Sequence, residues 1–342
     1  MNMLRIKEML SSLDNIKKEA VLTEQYNAAI KQDNLTLAAD IANYVLDMQL
    51  ELPLHIDFRV HCFHFLLQYT NEKLKNAADN EQDAETEKYF DSLMDLIWKF
   101  KWIIPHMPEN AYITLDEIDG MLELMKDYFA HFEFSLAPVY TSTTLQYMVR
   151  GEREKAQESF QLWQNEPIDG MNDCPACVVA DQVNYYHFIG DYDKVLALSK
   201  DILSGKLTCA EVPHITYAAI LYSLLETQQL DKAKKLLPQA INVIEKAKML
   251  NELPDLMIIA AQLEETETAL TLIDKYSNTI LQVGESVHIL KMLMALSYYD
   301  VQHYDAAQEI ALLLDQRNGN QFYQNKVESL GKQVGASQRI LQ

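Results

Sequence analysis

Three cysteines are the residues whose type and spacing most clearly indicate chemistry. Cys174-Pro-Ala-Cys177 forms a CxxC pair, and Cys209 follows 32 residues after Cys177. Thiolates in this pattern bind zinc, which takes four ligands in a structural site. We take His214 as the nearest fourth ligand, and the alternatives are Asp173, Glu211 and His187. Two other interpretations stay open: reduced thiols packed beneath neighbouring turns, or a disulfide or redox role.

Motifs of enzyme catalysis are missing from the rest of the sequence. It contains no GxGxxG, Walker A, GxSxG or HExxH pattern, and the nine histidines form no recognisable triad. We therefore expect a protein that is not an enzyme and has no cofactor apart from a structural zinc. The alternative from another class is a metal-dependent enzyme with its site at the cysteine cluster.

A repeated phrase predicts the elements that position the cysteines. GDYDKVLAL begins at Gly190, and related phrases begin at residues 151, 228, 264 and 302, at spacings of 36 to 39 residues. In each phrase a turn residue is followed five positions later by a small or apolar residue that lets two helices approach closely. Only nine glycines and nine prolines interrupt the chain, which favours helices over strands. The sequence predicts an all-α, TPR-like α-solenoid of stacked antiparallel helix pairs with right-handed curvature.

The predicted repeats are clearest in the C-terminal part. We assign residues 136–342 to about five TPR-like units and residues 1–135 to an N-terminal helical region, either an irregular repeat or a cap. In that region a turn at Asp33–Asn34 followed by Ala38 suggests one earlier unit. Residues 71–87 are predicted to be a loop or a frayed, extended helix end. Thr114 and Glu117 have the spacing of a helix capping box.

The stretch from residue 173 to about residue 220 resembles a segment of uncharacterised bacterial TPR-like proteins. Those proteins share a DCxxC element, a GDY-type turn and a CxExP entrance to the next helix. The matching residues here are Asp173, Cys174, Cys177, Gly190, Cys209, Glu211 and Pro213. The resemblance covers less than a fifth of the chain. It implies a bacterial helical-repeat protein and no enzymatic activity, and the position of some such genes beside toxin genes suggests an immunity protein.

Charge and hydropathy limit the class of partner. The chain has 50 acidic and 29 basic residues and a net charge of −21. Such a surface repels nucleic acid and anionic membranes, so neither is expected as a partner. The amphipathic N-terminus lacks the apolar core of a signal peptide, and no apolar run is long enough to span a membrane. We expect a cytoplasmic protein.

The densest structured acidic stretch lies between residues 81 and 127, with 12 acidic and 4 basic residues. It is interpreted either as a solvated helix face or as a surface that binds a basic protein. Trp98 and Trp102 lie four residues apart, a spacing typical of core residues or of an aromatic anchor. The candidate partner-binding residues are Glu81, Asp83, Glu85, Glu87, Asp91, Asp95, Trp98, Trp102, Asp116, Glu117 and Asp119.

Together these patterns predict a non-catalytic scaffold with an acidic groove for a protein or peptide, in which the first helices of the pairs form the concave face. The most specific version is an immunity protein that neutralises a basic toxin domain. The alternative within the same class is a peptide-sensing regulator, although the N-terminal 70 residues offer no basic recognition helix for DNA.

Overall fold

The computed structural model describes residues 2–13, 15–47 and 55–340, except for the side chains of residues 15–16 and 333–340. Within these ranges the regular structure consists of 17 α-helices and three short 3₁₀ segments, so the all-α prediction is confirmed. No helix in the described part of the chain is long and apolar enough to cross a membrane.

The N-terminal region contains six helices and one 3₁₀ segment. They are α1 (Met3–Ser11), α2 (Asn15–Lys31), α3 (Leu35–Asp47), α4 (Ile56–Asp79), α5 (Asp83–Ile103), the 3₁₀ segment Ile104–Glu109, and α6 (Leu115–His131).

Eleven helices follow. They are α7 (Ala137–Arg150), α8 (Arg153–Asn165), α9 (Pro175–Phe188), α10 (Tyr192–Leu203), α11 (Tyr217–Glu226), α12 (Leu230–Ala247), α13 (Leu253–Gln262), α14 (Thr266–Val283), α15 (Ser286–Ser297), α16 (Gln302–Asn318) and α17 (Phe322–Ile340). Short 3₁₀ segments, His214–Thr216 and Leu250–Glu252, precede α11 and α13.

The helices pack mostly against their neighbours in sequence, as expected for a helical repeat. From α7 onwards they form pairs, α7 with α8 through α15 with α16. The first helix of each pair also contacts the first helix of the next pair, and α15 contacts α17 in the same way. The first helices therefore form one layer of the protein.

The turns within the pairs confirm the role of the repeated phrase. Gly151 and Gly190 have φ values of +74° and +76°, and Gln228 and Glu264 adopt the same left-handed region. This region reverses the chain within a few residues, and glycine adopts it without a steric cost. At the fifth predicted turn the structure differs slightly, because Gln302 is already the first residue of α16.

Small residues at the predicted positions are the reason that paired helices lie close together. The side chains five residues after the predicted turn residues are completely buried: Ala38, Ala156, Val195, Ala233, Ala269 and Ala307. An alanine or valine at the contact keeps the interaxial distance short, so the larger apolar residues on either side of it interdigitate.

The N-terminal region is more regular than its sequence indicates. The predicted turn at Asp33 has a φ of +55°, and the Thr114–Glu117 capping box is present. Of the two interpretations of residues 71–87, the extended helix end agrees with the structure, because α4 continues to Asp79; a short turn follows, and α5 begins at Asp83. Glu81 makes the intervening turn with a φ of +53°. One core cluster runs from Ile6 to Val139, and a second runs from Ala176 to Ala295.

The last helices return to contact earlier parts of the chain. Arg317, near the end of α16, donates to the carbonyl oxygens of Pro108 and Asn110, both at 2.6 Å. The hydroxyl of Tyr323 on α17 donates to the carbonyl oxygen of Val149 on α7 at 2.6 Å. The last helices, α16 and α17, thus contact α7 and the 3₁₀ segment that precedes α6.

Candidate functional site

The three cysteines predicted to act together are close in space. Cys177 Sγ lies 3.5 Å from Cys174 Sγ and 3.3 Å from Cys209 Sγ, and all three sulfur atoms lie within 4.8 Å of one another. Cys174 is the N-cap of α9, and its sulfur accepts the backbone N–H of Cys177 at 3.4 Å. Cys209 comes from the segment between α10 and α11. We call these residues the cysteine triad.

A lysine from the N-terminal region holds the loop that leads into the triad. Lys101 on α5 is 7% exposed, and its Nζ donates to the carbonyl oxygen of Met171 at 2.7 Å and to Asp173 Oδ1 at 2.9 Å. The same Nζ lies 3.3 Å from the ring centroid of Trp98, a cation–π contact. The position of Cys174 is therefore fixed from two sides, by α9 and by α5.

The thiols of the triad differ in acidity. Burial raises the pKa of Cys177 far above its usual value, and the adjacent sulfurs of Cys209 and Cys174 add to this effect. Burial also opposes ionisation of Cys174, but the N–H groups of Cys177 and Ala176 at the start of α9 lower its pKa overall. Cys174 is the exposed member of the triad.

The predicted fourth ligand does not join the triad. Among the residues that the structure describes, the group of converging ligand atoms contains the three sulfurs, and His214 lies outside it. The Nδ1 atom of His214 is buried without a hydrogen bond in the described structure. Of the alternatives, Asp173 is engaged by Lys101, and His187 stacks on the ring of Tyr222 at 5.7 Å. Glu211 donates its backbone N–H to Cys209 Sγ at 3.4 Å.

The predicted acidic surface is on the outside of the N-terminal region. Its acidic members are exposed to solvent: Glu81, Asp83, Glu85, Glu87, Asp91, Asp95, Asp116, Glu117 and Asp119. Three of them have partners within the protein. Asp95 accepts from Lys99 at 2.6 Å, Asp119 accepts from Arg150 at 2.9 Å, and Glu117 caps α6. Six carboxylates are left as exposed members of this surface.

Both tryptophans of the same prediction are half-buried. The ring of Trp98 faces the ammonium group of Lys101, and the carbonyl oxygen of Trp102 accepts from Arg59 at 3.1 Å. The Trp98 ring thus contacts the lysine that holds the loop before α9, and the backbone of Trp102 links α5 to Arg59 on α4.

A group of charged residues that the sequence analysis did not single out lies among the first helices. A histidine and a glutamate come from the 3₁₀ segment before α6, and a second glutamate comes from the segment before α13. An aspartate on α13 and a histidine and a lysine on α15 complete the group. We call it the inner polar cluster, and its members are His106, Glu109, Glu252, Asp255, His288 and Lys291.

Two sets of contacts organise this cluster. Lys291 Nζ donates to Asp255 Oδ2 at 2.7 Å, linking α15 to α13. Glu109 accepts from His106 at 3.1 Å and lies 3.8 Å from His288 Nε2. Protein surrounds these groups, yet half of the His106 side chain and a third of the Lys291 side chain are accessible to solvent. Water therefore reaches part of the cluster, although protein surrounds it.

The electrostatics of the cluster are strongly perturbed. Burial opposes ionisation of Glu109, but His106 and His288 outweigh it and lower the pKa of Glu109 to about 2. Burial raises the pKa of Glu252 to about 7, with Asp255 and Glu109 adding to the increase. Perturbed titratable groups gathered in one concave place are typical of functional sites.

The cluster extends towards α9, α11 and α17. The Tyr222 hydroxyl donates to Asp255 Oδ1 at 3.4 Å. Burial lowers the pKa of His187 to about 4, and Lys326 on α17 contributes to this decrease. Burial lowers the pKa of Lys326 itself to about 8, with Lys291 as the second cause. Polar side chains from five first-layer helices thus contact one another or interact electrostatically.

A weak signal for this site is present in the sequence. His187, Tyr222 and Asp255 precede the turn residues of their pairs by three, six and nine residues, a shift of about one helical turn per pair. Asp255 is the only charged residue in the apolar helix LPDLMIIAAQ. The sequence signal of the inner polar cluster is therefore an isolated charged residue in an otherwise apolar first helix, and not a dense acidic run such as residues 81–127.

Comparisons of the chain with protein families, with curated proteins and with solved structures found no match. The resemblance to bacterial TPR-like proteins therefore identifies no family, and the chain is described by its structure: an all-helical protein of neighbouring helix pairs that carries a cysteine triad.

Proposed function

We propose that the protein is a non-catalytic helical-repeat scaffold that binds a basic segment of a partner protein on its inner surface. The observation that carries the proposal is the inner polar cluster. Ionic groups in a space that protein surrounds are costly to desolvate, and apolar residues of similar volume often give equal or greater stability. Five first-layer helices that each place a polar or charged side chain in this space therefore support a role in binding.

The charge of the whole protein favours a basic partner. The net charge is −21, and the inner polar cluster contains three carboxyl groups, Glu109, Glu252 and Asp255, beside one lysine and two histidines. Charge complementarity of this kind accelerates association and selects partners.

Burial of the carboxyl groups also favours a cationic ligand. The pKa of Glu252 is raised to about 7, so this group is partly protonated near neutral pH in the free protein. A lysine or arginine side chain entering the space would favour the charged form and release that proton. Binding should therefore strengthen between about pH 6 and pH 8.

The finer architecture is part of the same proposal. We infer that the pairs stack with right-handed curvature as an α-solenoid, so that the first helices form the concave side. The immunity protein that neutralises a basic toxin domain is one version of this function. A regulator that senses a free basic peptide is the other version.

The test measures binding of a fluorescein-labelled oligolysine peptide by anisotropy. The double variant Glu252→Gln, Asp255→Asn changes the inner cluster. Asp83→Asn, Asp91→Asn removes the same number of carboxyl groups from the exposed surface. We expect the inner variant to bind at least tenfold more weakly, which corresponds to about 1.4 kcal/mol, and the outer variant to bind nearly as wild type. Circular dichroism of both variants checks that they are folded.

Equal weakening by the two variants would show that net charge alone attracts the peptide, and the proposal would fail. A pull-down from the native cells with the same three proteins extends the test to the natural partner. A basic protein retained by the outer variant and lost by the inner variant is the expected result.

A further inference from the structure

We propose that the cysteine triad holds one zinc ion through three thiolates, with water as the fourth ligand. This inference is independent of the binding function proposed above. Tetrahedral zinc with bonds of about 2.3 Å to sulfur requires sulfur–sulfur distances of about 3.8 Å. The distances of 3.5 Å and 3.3 Å from Cys177 Sγ to the other two sulfurs need only about half an ångström of adjustment.

The exposure of the triad argues against simple packing. Cys62, the fourth cysteine, is completely buried and behaves as an apolar core residue. Cys174, in contrast, is exposed at the start of α9, where a thiol gains little from the hydrophobic effect. Packing therefore gives no reason for an exposed sulfur to face two others at contact distance, whereas shared coordination of a metal does.

The number of sulfurs argues against a disulfide. Cys177 is equally close to Cys174 and Cys209, so either bond would leave the third thiol beside it. Three converging thiolates match the preference of zinc for sulfur ligands.

The surroundings fit a thiolate–zinc centre. Backbone N–H groups of Cys177 and Glu211 donate to the sulfurs of Cys174 and Cys209, both at 3.4 Å, as outer-shell donors do around metal-bound thiolates. Three thiolates and one Zn²⁺ carry a net charge of −1. The ammonium group of Lys101 lies close enough to Cys177 to interact with it electrostatically and partly balances this charge.

The ion would link two neighbouring helix pairs. It would join the start of α9 to the segment between α10 and α11. The exposure of Cys174 places the fourth position towards solvent, because no described histidine or carboxylate joins the three sulfurs within 4.8 Å.

Cobalt titration tests the site. The protein is purified with reductant, stripped of metal and titrated anaerobically with Co²⁺. We expect about one equivalent to bind, with a thiolate-to-cobalt charge-transfer band whose intensity corresponds to three sulfurs and with the visible bands of tetrahedral cobalt. Zn²⁺ should displace the cobalt. Imidazole should shift the visible bands because it replaces the water ligand.

Variants give the matched controls. Cys174→Ser, Cys177→Ser and Cys209→Ser should each reduce the charge-transfer intensity by about a third and weaken Zn²⁺ binding at least tenfold. Cys62→Ala should leave both unchanged. His214→Ala should leave the spectrum unchanged, and circular dichroism shows whether each variant is folded.

Three results would overturn the proposal. The first is a reduced, folded protein that binds no Co²⁺ or Zn²⁺ at stoichiometric concentration. The second is a spectrum that the triad variants do not alter. The third, an altered spectrum in the His214 variant or no response to imidazole, would show that the fourth position is not occupied by water.

Discussion

The backbone N–H of Ile56 donates to the carboxylate of Glu285 at 2.6 Å, although 229 residues separate the two. The bond joins the start of α4 to the start of α15. Glu285 is 7% exposed, and burial raises its pKa to about 7. Glu109 and Asp57 raise this pKa further, whereas the N–H of Ile56 and the nearby His55 lower it. The contact between the N-terminal region and the last pairs is thus sensitive to pH.

We predict that stability falls as the pH rises through this range. A carboxyl group whose pKa is raised in the folded state holds its proton there, while the unfolded chain releases it above about pH 4.5. The free energy of unfolding should therefore decrease between about pH 5 and pH 7, by roughly 2–3 kcal/mol from Glu285. Urea denaturation of the wild type and of Glu285→Gln at several pH values measures this effect.

The Glu285→Gln variant keeps an acceptor for the N–H of Ile56 and cannot ionise. Its stability should depend less on pH than that of the wild type. Glu252, Glu211 and Asp181 have pKa shifts of the same sign and contribute to the dependence that is left. Parallel pH profiles for the two proteins would contradict the assignment to Glu285.

Two glycines with the same backbone conformation offer a matched pair of substitutions. Gly151 and Gly190 have φ values of +74° and +76°. A Cβ on Gly151 would clash with the ring of Phe322, whereas a Cβ on Gly190 would meet only the Tyr192 hydroxyl at 4.0 Å. We expect Gly190→Ala to cost about 1 kcal/mol of backbone strain and Gly151→Ala about 1–3 kcal/mol more. Thermal denaturation compares them, and equal losses would show that α17 does not press on this turn.

Arg317 should be important for the contact between the two ends of the paired region. Its guanidinium donates to the carbonyl oxygens of Pro108 and Asn110, both at 2.6 Å, and to that of Ile113 at 3.3 Å. Hydrogen bonds from a charged group contribute about 1.5–3 kcal/mol each, so Arg317→Met should cost about 2–4 kcal/mol.

Lysine cannot reproduce the planar arrangement of donors, and Arg317→Lys should recover only part of the loss. Limited proteolysis gives a local measurement, because cleavage between residues 104 and 114 should become faster in Arg317→Met. Unchanged cleavage there would mean that the segment is held without Arg317.

Asp315 caps α17 from the preceding helix. Its carboxylate is 1% exposed and accepts the backbone N–H groups of Tyr323 at 3.0 Å and Gln324 at 2.8 Å. Removal of both acceptors leaves two N–H groups unpaired at the helix start, so Asp315→Ala should cost about 2–3 kcal/mol.

Asp315→Asn keeps one oxygen acceptor and should lose about half as much stability. Hydrogen exchange provides the local measurement, since the amides of Tyr323 and Gln324 should exchange faster in the alanine variant. Protection equal to that of the wild type would show that these amides have another acceptor.

Local signals in the sequence predicted the pairs well. The turn residue and the small residue five positions later depend only on nearby residues, so the sequence pattern locates them directly. Gly190 indeed makes a left-handed turn, and Val195 is buried. The turn within residues 71–87 lacks such a signal. Glu81 adopts a left-handed conformation without being glycine, and the polar residues around it are also good helix formers.

Contacts between distant parts of the chain were not predictable in the same way. Whether Tyr323 reaches Val149 depends on small rotations between successive pairs, which add up over many helices and leave no motif. The inner polar cluster depends on the same geometry, because Asp255 and Lys291 become partners only when α13 and α15 pack together. The cysteine triad was partly predictable, because its three cysteines come from neighbouring pairs. The role expected of His214 depended on the direction of its side chain, which the sequence pattern does not determine.

The return of α16 and α17 to α7 has a consequence for how such a chain can evolve. An open array can grow by duplication of one pair, because each new unit needs only a surface to stack on. Here an added pair would move Arg317 and Tyr323 away from the carbonyl oxygens that they reach, and the polar space would open. These contacts therefore constrain the number of pairs, and divergence that keeps them proceeds by substitution rather than by change of length.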